Sequence, residues 1–209
     1  EYSGKPQGER LYFLQGDAYY QMKQYSLATY PFERLQKIYP RSAKAVEAAF
    51  LEAKSLYMQV PTYSVDQTYT YQALEKLQYF MDRYSDSDYA KEANELILNL
   101  LTQLQKKEFE IAKQYDLIRD YQAAMKSLDN FLANNPGSVF REDALYTRLH
   151  SAYEWAINSV ESNQKERLDT AKEAYDTLLL AFPETKYKKE ADNMLKKINT
   201  SLKSFTSQK

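Results

Sequence analysis

Apolar positions along this chain fall at helical spacing almost throughout. In "KQYSLATYPFERLQKIYPRS" (23–42), Ala28, Phe32 and Leu35 are separated by steps of four and three, which place them on one helix face. The stripe runs into Pro40, and Ser42 follows. Proline has no N–H and restricts the residue before it, so it predicts a stop. The pattern recurs in "TYTYQALEKLQYFMDRYSDS", "RDYQAAMKSLDNFLANNPGS" and "ERLDTAKEAYDTLLLAFPET". Anchored at Pro40, Ser85, Pro136 and Pro183, each copy has an alanine twelve residues earlier: Ala28, Ala73, Ala124 and Ala171. Each has a bulky residue eight earlier (Phe32, Leu77, Leu128, Tyr175) and another five earlier (Leu35, Phe80, Phe131, Leu178). A hydroxyl stands two after each anchor, at Ser42, Ser87, Ser138 and Thr185, and is expected to cap the next helix. The chain therefore predicts a helix, a stop and a capped new helix, four times over.

The first copy carries more detail. Tyr12, Gln15, Gly16, Tyr19, Ala28, Phe32 and Pro40 resemble the tetratricopeptide (TPR) pattern, with Gln15 in place of the usual leucine. Gly16 and Ala28 are expected where two antiparallel helices cross, with Tyr19 and Phe32 filling the space beside them. The third copy keeps this spacing through Ala112, Tyr115 and Ala124. The second and fourth depart from it. "MQVPTYSVDQTY" lies between Ala53 and Ala73, and "NSVESNQKER" between Ala152 and Ala171. These stretches predict either longer loops or helices extended past the usual hairpin. From Asp88 to Ile118 the pattern reads as one helix of about 30 residues, roughly 45 Å long. It would link the two halves of the array rigidly, its first part packing on the second copy and its last on the third. Pro31, inside a predicted helix, is expected to bend it near Ala28.

The fold these patterns predict is all-α. It is a right-handed superhelical solenoid of TPR-like helical hairpins over residues 1–209, with one long linking helix. Composition agrees, since no glycine or proline occurs between Pro61 and Pro136. The 28 basic and 29 acidic residues nearly cancel and form no basic patch, which argues against nucleic-acid binding. No apolar run of about 20 residues spans a membrane. Without cysteine there is neither a disulfide nor a cysteine-ligated metal. The start, "EYSGKPQGERL", suggests a trimmed or processed chain.

Candidate chemistry is sparse. The single histidine, His150, has Arg148 and Glu154 on its helix face but no second histidine, so no metal site is expected. Four scattered glycines form no phosphate loop. Asp86 and Asp88 flank a helix start, where the helix dipole accounts for them. No cofactor and no catalytic residue is expected. The charge run 184–197 reads as the solvated face of a terminal, capping helix. Tyr20 and Tyr57 each fall four residues after a small crossing residue, off the packing stripe, and Asp17 and Lys54 join them one residue after it. Two readings stay open here. The tyrosines pack between repeats, or the four residues line a peptide groove, where an amphipathic ring supplies contact area at low entropy cost.

Two stretches narrow the family. "DQTYTYQALEKLQYFMDRYSDSDYAKEANELI" (66–97) and "SVESNQKERLDTAKEAYDTLLLAFPETKYKKEA" (159–191) resemble the BamD family of outer-membrane assembly lipoproteins in its Bacteroidetes-type form, insertions included. The family carries a lipoprotein signal, a lipidated cysteine and a first helical repeat, after which this chain would start. The resemblance implies a non-catalytic lipoprotein on the periplasmic face of the outer membrane, whose only membrane contact is a lipid anchor absent from this chain. It implies partners: a BamA-like β-barrel protein bound through its POTRA domains, other lipoproteins of the assembly machine, and unfolded outer-membrane proteins. The N-terminal half (1–118) would receive substrate. The C-terminal half (119–209) would bind the partner, with Arg119, Asp120 and Lys126 as candidate surface residues. The family's partner-facing arginine falls nearest Lys126 and Ser127 here, so that contact is not carried over. A different TPR module, such as a co-chaperone clamping a C-terminal carboxylate, and an all-α carbohydrate-binding protein or enzyme are the alternatives.

Overall fold

The predicted stripes become helices in a computed structural model that describes residues 5–206. Among these residues the elements are α1 (Pro6–Gln21), α2 (Tyr25–Ile38), α3 (Ala45–Tyr57), α4 (Thr68–Tyr84), α5 (Ala90–Leu117), α6 (Tyr121–Asn134), α7 (Arg141–Ile157), α8 (Glu161–Ala181) and α9 (Lys188–Thr206), with no strand. They form TPR-like hairpins, α1 with α2, α3 with α4, α5 with α6 and α7 with α8. Every stripe position named above is buried except Tyr175, which is half-buried because its hydroxyl donates to Asp192 at 2.7 Å. The helix α2 runs unbroken through buried Pro31.

The stops repeat at the level of single hydrogen bonds. After α2, the Ser42 N–H donates to the Tyr39 carbonyl and the Ala45 N–H to the Ser42 carbonyl. The same pair recurs at Ser87, Ser138 and Thr185, all within 2.9–3.1 Å. The hydroxyls act differently from the sequence expectation. They stand two residues ahead of the next helix's N-cap position, too early to reach its first turn. Ser42, Ser138 and Thr185 instead accept from the N–H two residues on, of Lys44, Phe140 and Tyr187, at 2.9, 3.2 and 3.2 Å. They thus fix the turn rather than cap the helix. Ser42 and Thr185 also donate to Glu9 and Glu142, in the first turn of the hairpin they close.

Two compact units divide the chain, Glu1–Leu104 and Gln105–Lys209, and the division falls inside α5. In the first unit, Gly16 of α1 lies directly under the Phe32 ring of α2. Ala93 and Leu100 of α5 join Phe50, Ala73, Leu77 and Phe80 in the core of α3 and α4. Glu52, almost fully buried on α3, accepts from Gln36 of α2 at 2.7 Å and pairs with Lys76 of α4 at 2.8 Å. In the second unit, Phe109 and Ala112 of α5 pack with Leu128 and Phe131 of α6 and Ala144 of α7. The helix α9 closes the other core with Ala191 and Ile198 fully buried, while Lys189, Lys196 and Lys197 stay exposed.

The two irregular hairpins resolve in different ways. In the first unit, 58–67 is a true loop, tied by buried Gln67. Its Nε2 donates to the carbonyls of Thr62 and Val65, both at 2.9 Å. Its Oε1 accepts from Thr70 at 2.8 Å and from Gln103 at 3.2 Å. In the second unit the insertion is helix. Only 158–160 lie outside α7 and α8, and α8 begins at Glu161. The regular hairpins α1/α2 and α5/α6 share one turn. Lys23 and Arg119 have positive φ, 59° and 66°. The following N–H, of Gln24 or Asp120, reaches back to Tyr19 or Tyr115 at 2.9 Å, a Schellman closure.

Candidate functional site

In the first unit, α1, α3 and α5 bring three polar side chains together. Lys54 Nζ pairs with Glu92 Oε1 at 2.6 Å, interacts with the Tyr20 hydroxyl, and lies 5.5 Å from the Phe50 ring centre. Tyr20 meets Tyr25 edge-on at 5.5 Å. Burial pushes the Tyr20 hydroxyl above its ordinary value, with Lys54 opposing. Burial pulls the Lys54 ammonium down, but Glu92 and Tyr20 outweigh it and hold it raised, so it stays charged. The structure thus joins Tyr20 and Lys54. Asp17 lies on the same helix and accepts from Gln21 at 3.1 Å. Tyr57 is not in this cluster. It sits at the end of α3, where the 58–67 loop folds back, and packs into the α3–α4 core beside Val60 and Leu100. Glu92, the counter-ion of Lys54, was not legible in the sequence, because nothing there fixes which face of the long helix meets α3.

In the second unit, an open cleft of about 760 Å³ is lined by Arg119, Tyr121, His150, Glu154, Trp155 and Arg167. The α5–α6 turn supplies Arg119, the start of α6 supplies Tyr121, and the α7–α8 corner supplies the rest. Asp116, near the end of α5, holds one wall. His150 Nδ1 lies 3.0 Å from both its oxygens, and Ser151 Oγ donates to it at 2.7 Å. The hydrogen bond to Asp116 raises the His150 imidazole above its usual value, so the ring favours the charged form. Arg167 stacks on Trp155, its Cζ 3.9 Å from the ring centre, and donates to Ser159 Oγ at 2.5 Å. Glu154 accepts from Asn158 at 3.3 Å. Neither Arg119 nor Arg167 makes an ion pair among the described residues.

Of the surface residues expected in this half, Arg119 lines the cleft. Asp120 caps α6 by accepting from the Ala123 N–H at 3.2 Å. Lys126 is exposed on α6, outside the cleft. The Arg167–Trp155 stack was missed because it needs α8 to begin as early as Glu161, which the sequence left open.

These helical hairpins, with their repeated stops and packed small-residue crossings, define a TPR-like repeat protein without strands among the described residues. The family model described as outer membrane lipoprotein (YfiO) matches residues 6–126 and 118–205, so the chain belongs to that family. A similar curated protein is the outer membrane protein assembly factor BamD of Caulobacter vibrioides, 32% identical over 144 residues. The alignment covers 69% of this chain and 47% of that protein, so the chain spans about half the length of the relative it matches. No helix among the described residues is long and apolar enough to cross a membrane.

Proposed function

We propose that this chain is a non-catalytic scaffold of outer-membrane protein assembly, working at the periplasmic face of the outer membrane. Its second unit binds a BamA-like β-barrel protein through POTRA domains, on the surface that includes Arg119, Asp120 and Lys126. Its first unit receives unfolded outer-membrane protein segments beside Asp17, Tyr20 and Lys54. One observation carries this reading: the outer membrane lipoprotein family matches both units, on a fold built of helical hairpins. The Tyr20–Lys54–Glu92 cluster supports the substrate role, since an aromatic ring beside a held charge suits an extended peptide. The carboxylate-clamp alternative is weakened, because Lys54 is already paired with Glu92.

Photo-crosslinking in the native envelope tests the proposal. A photoreactive residue at Lys126 is expected to capture the BamA-like protein, and one at Asp17 to capture outer-membrane proteins still unfolded. Capture of neither, by protein that is folded and correctly localised, overturns the reading.

A further inference from the structure

Arg119 and Arg167 bring two guanidinium groups to the second-unit cleft. Asp116 is consumed by His150 and Ser151. Glu154 bonds the neutral Asn158 amide and keeps its charge. The two guanidinium groups have no carboxylate. Arg167 is held rigid by its stack on Trp155 and its bond to Ser159, an ordering cost met before any ligand arrives. Arg119 stands at the left-handed turn between α5 and α6, the same helix ending as Lys23, which fixes its backbone at the cleft mouth. Leu117, two-thirds exposed, and the Tyr121 ring add apolar area to the same opening.

We infer that this cleft binds an acidic polypeptide segment, with Arg119 and Arg167 receiving its carboxylates and Tyr121 and Leu117 receiving an apolar side chain between them. The guanidinium fork matches a carboxylate with two parallel hydrogen bonds. Glu154 on the same wall repels a dense anion such as a phosphate cluster, but tolerates carboxylates spaced along a chain. The inference extends the partner-surface reading of the second unit to a chemical class of ligand. It is tested without the β-barrel partner, so either reading can fail alone.

The experiment is fluorescence anisotropy with an acetylated, fluorescein-labelled Asp-Glu-Leu-Asp-Glu-Leu peptide, and Asn-Gln-Leu-Asn-Gln-Leu as its neutral counterpart. Trp155, the single tryptophan, gives an independent intrinsic signal. Saturable binding of the acidic peptide is expected, weakened by salt, with a change in Trp155 emission. Arg119→Gly and Arg167→Gln are each expected to weaken it about tenfold. Arg167→Gln loosens the Trp155 stack, whereas Arg119→Gly suits the local backbone and leaves the fold intact, so it is the decisive variant. Equal binding by Arg119→Gly, equal binding of the neutral peptide, or binding to phosphatidylglycerol vesicles in place of the peptide overturns the inference.

Discussion

His150 Nδ1 lies 3.0 Å from both carboxylate oxygens of Asp116, joining α7 to the end of α5. Sequence spacing placed only Arg148 and Glu154 beside this histidine. The groups facing it are Asp116 and, from its own helix, Glu154, and both raise its proton affinity above the ordinary 6.5. A raised folded value means the ionic stabilisation is complete below about pH 6.5. It is lost as pH rises through the higher, folded value. Wild type is therefore expected to exceed His150→Gln in melting temperature at low pH, with the gap closing as pH rises above neutral. Water reaches the ring, so the gap amounts to about 1 kcal/mol or less. A gap that does not change with pH contradicts the pairing.

Gly16 is fixed by the ring above it. A Cβ there would meet Phe32 at 2.6 Å, and that ring is fully buried with nowhere to move. Gly16→Ala gains about 1 kcal/mol of helix propensity but overpacks the crossing by about 1–3 kcal/mol. Net destabilisation of the first unit is expected in urea unfolding. Phe32→Leu should relieve part of it in the double variant, a non-additivity expected of touching residues.

Lys23 repeats the left-handed turn of Arg119 in the first hairpin. Lys23→Gly removes the steric cost of that conformation and is expected to stabilise the first unit by roughly 0.5–1 kcal/mol. A lower melting temperature contradicts this.

Gln67 holds the 58–67 loop by hydrogen bonds that its side chain gives to the Thr62, Val65 and Asp66 carbonyls and accepts from Thr70 and Gln103. Gln67→Ala leaves the buried Thr70 hydroxyl without its acceptor, while Gln103 keeps the Pro61 carbonyl at 2.6 Å, and is expected to cost about 2 kcal/mol. Limited proteolysis should then cut within 58–67 faster than in wild type. Unchanged cleavage means the loop is held by something other than this side chain.

The repeat was legible because it is written twice over, in the four-three stripe and in the stop that ends it. Ala28, Ala73, Ala124 and Ala171 are all fully buried. Single-turn chemistry was less legible. Ser42 and its counterparts looked like caps, yet sit two residues too early; Ser42, Ser138 and Thr185 fix turns instead, and the Ser87 hydroxyl is buried without a hydrogen bond. The insertions could be loop or helix, and only tertiary context decided: Gln67 folds one back as loop, while the other continues α8 and sets Arg167 over Trp155. Tyr57 shows the same limit. Its spacing matched Tyr20, but the neighbouring loop draws it into a core. Pairs such as Lys54–Glu92 and His150–Asp116 depend on the rotation of one helix against another, which periodicity does not encode.

Partner recognition by the second unit is the central claim, and calorimetric titration of this chain with the POTRA region of the same organism's BamA-like protein tests it most directly. Saturable binding is expected, weakened when Arg119 and Lys126 are replaced by glutamate and unaffected by Lys54→Ala in the first unit. Silence from a folded, monomeric chain, or binding indifferent to the second-unit substitutions, would contradict the account.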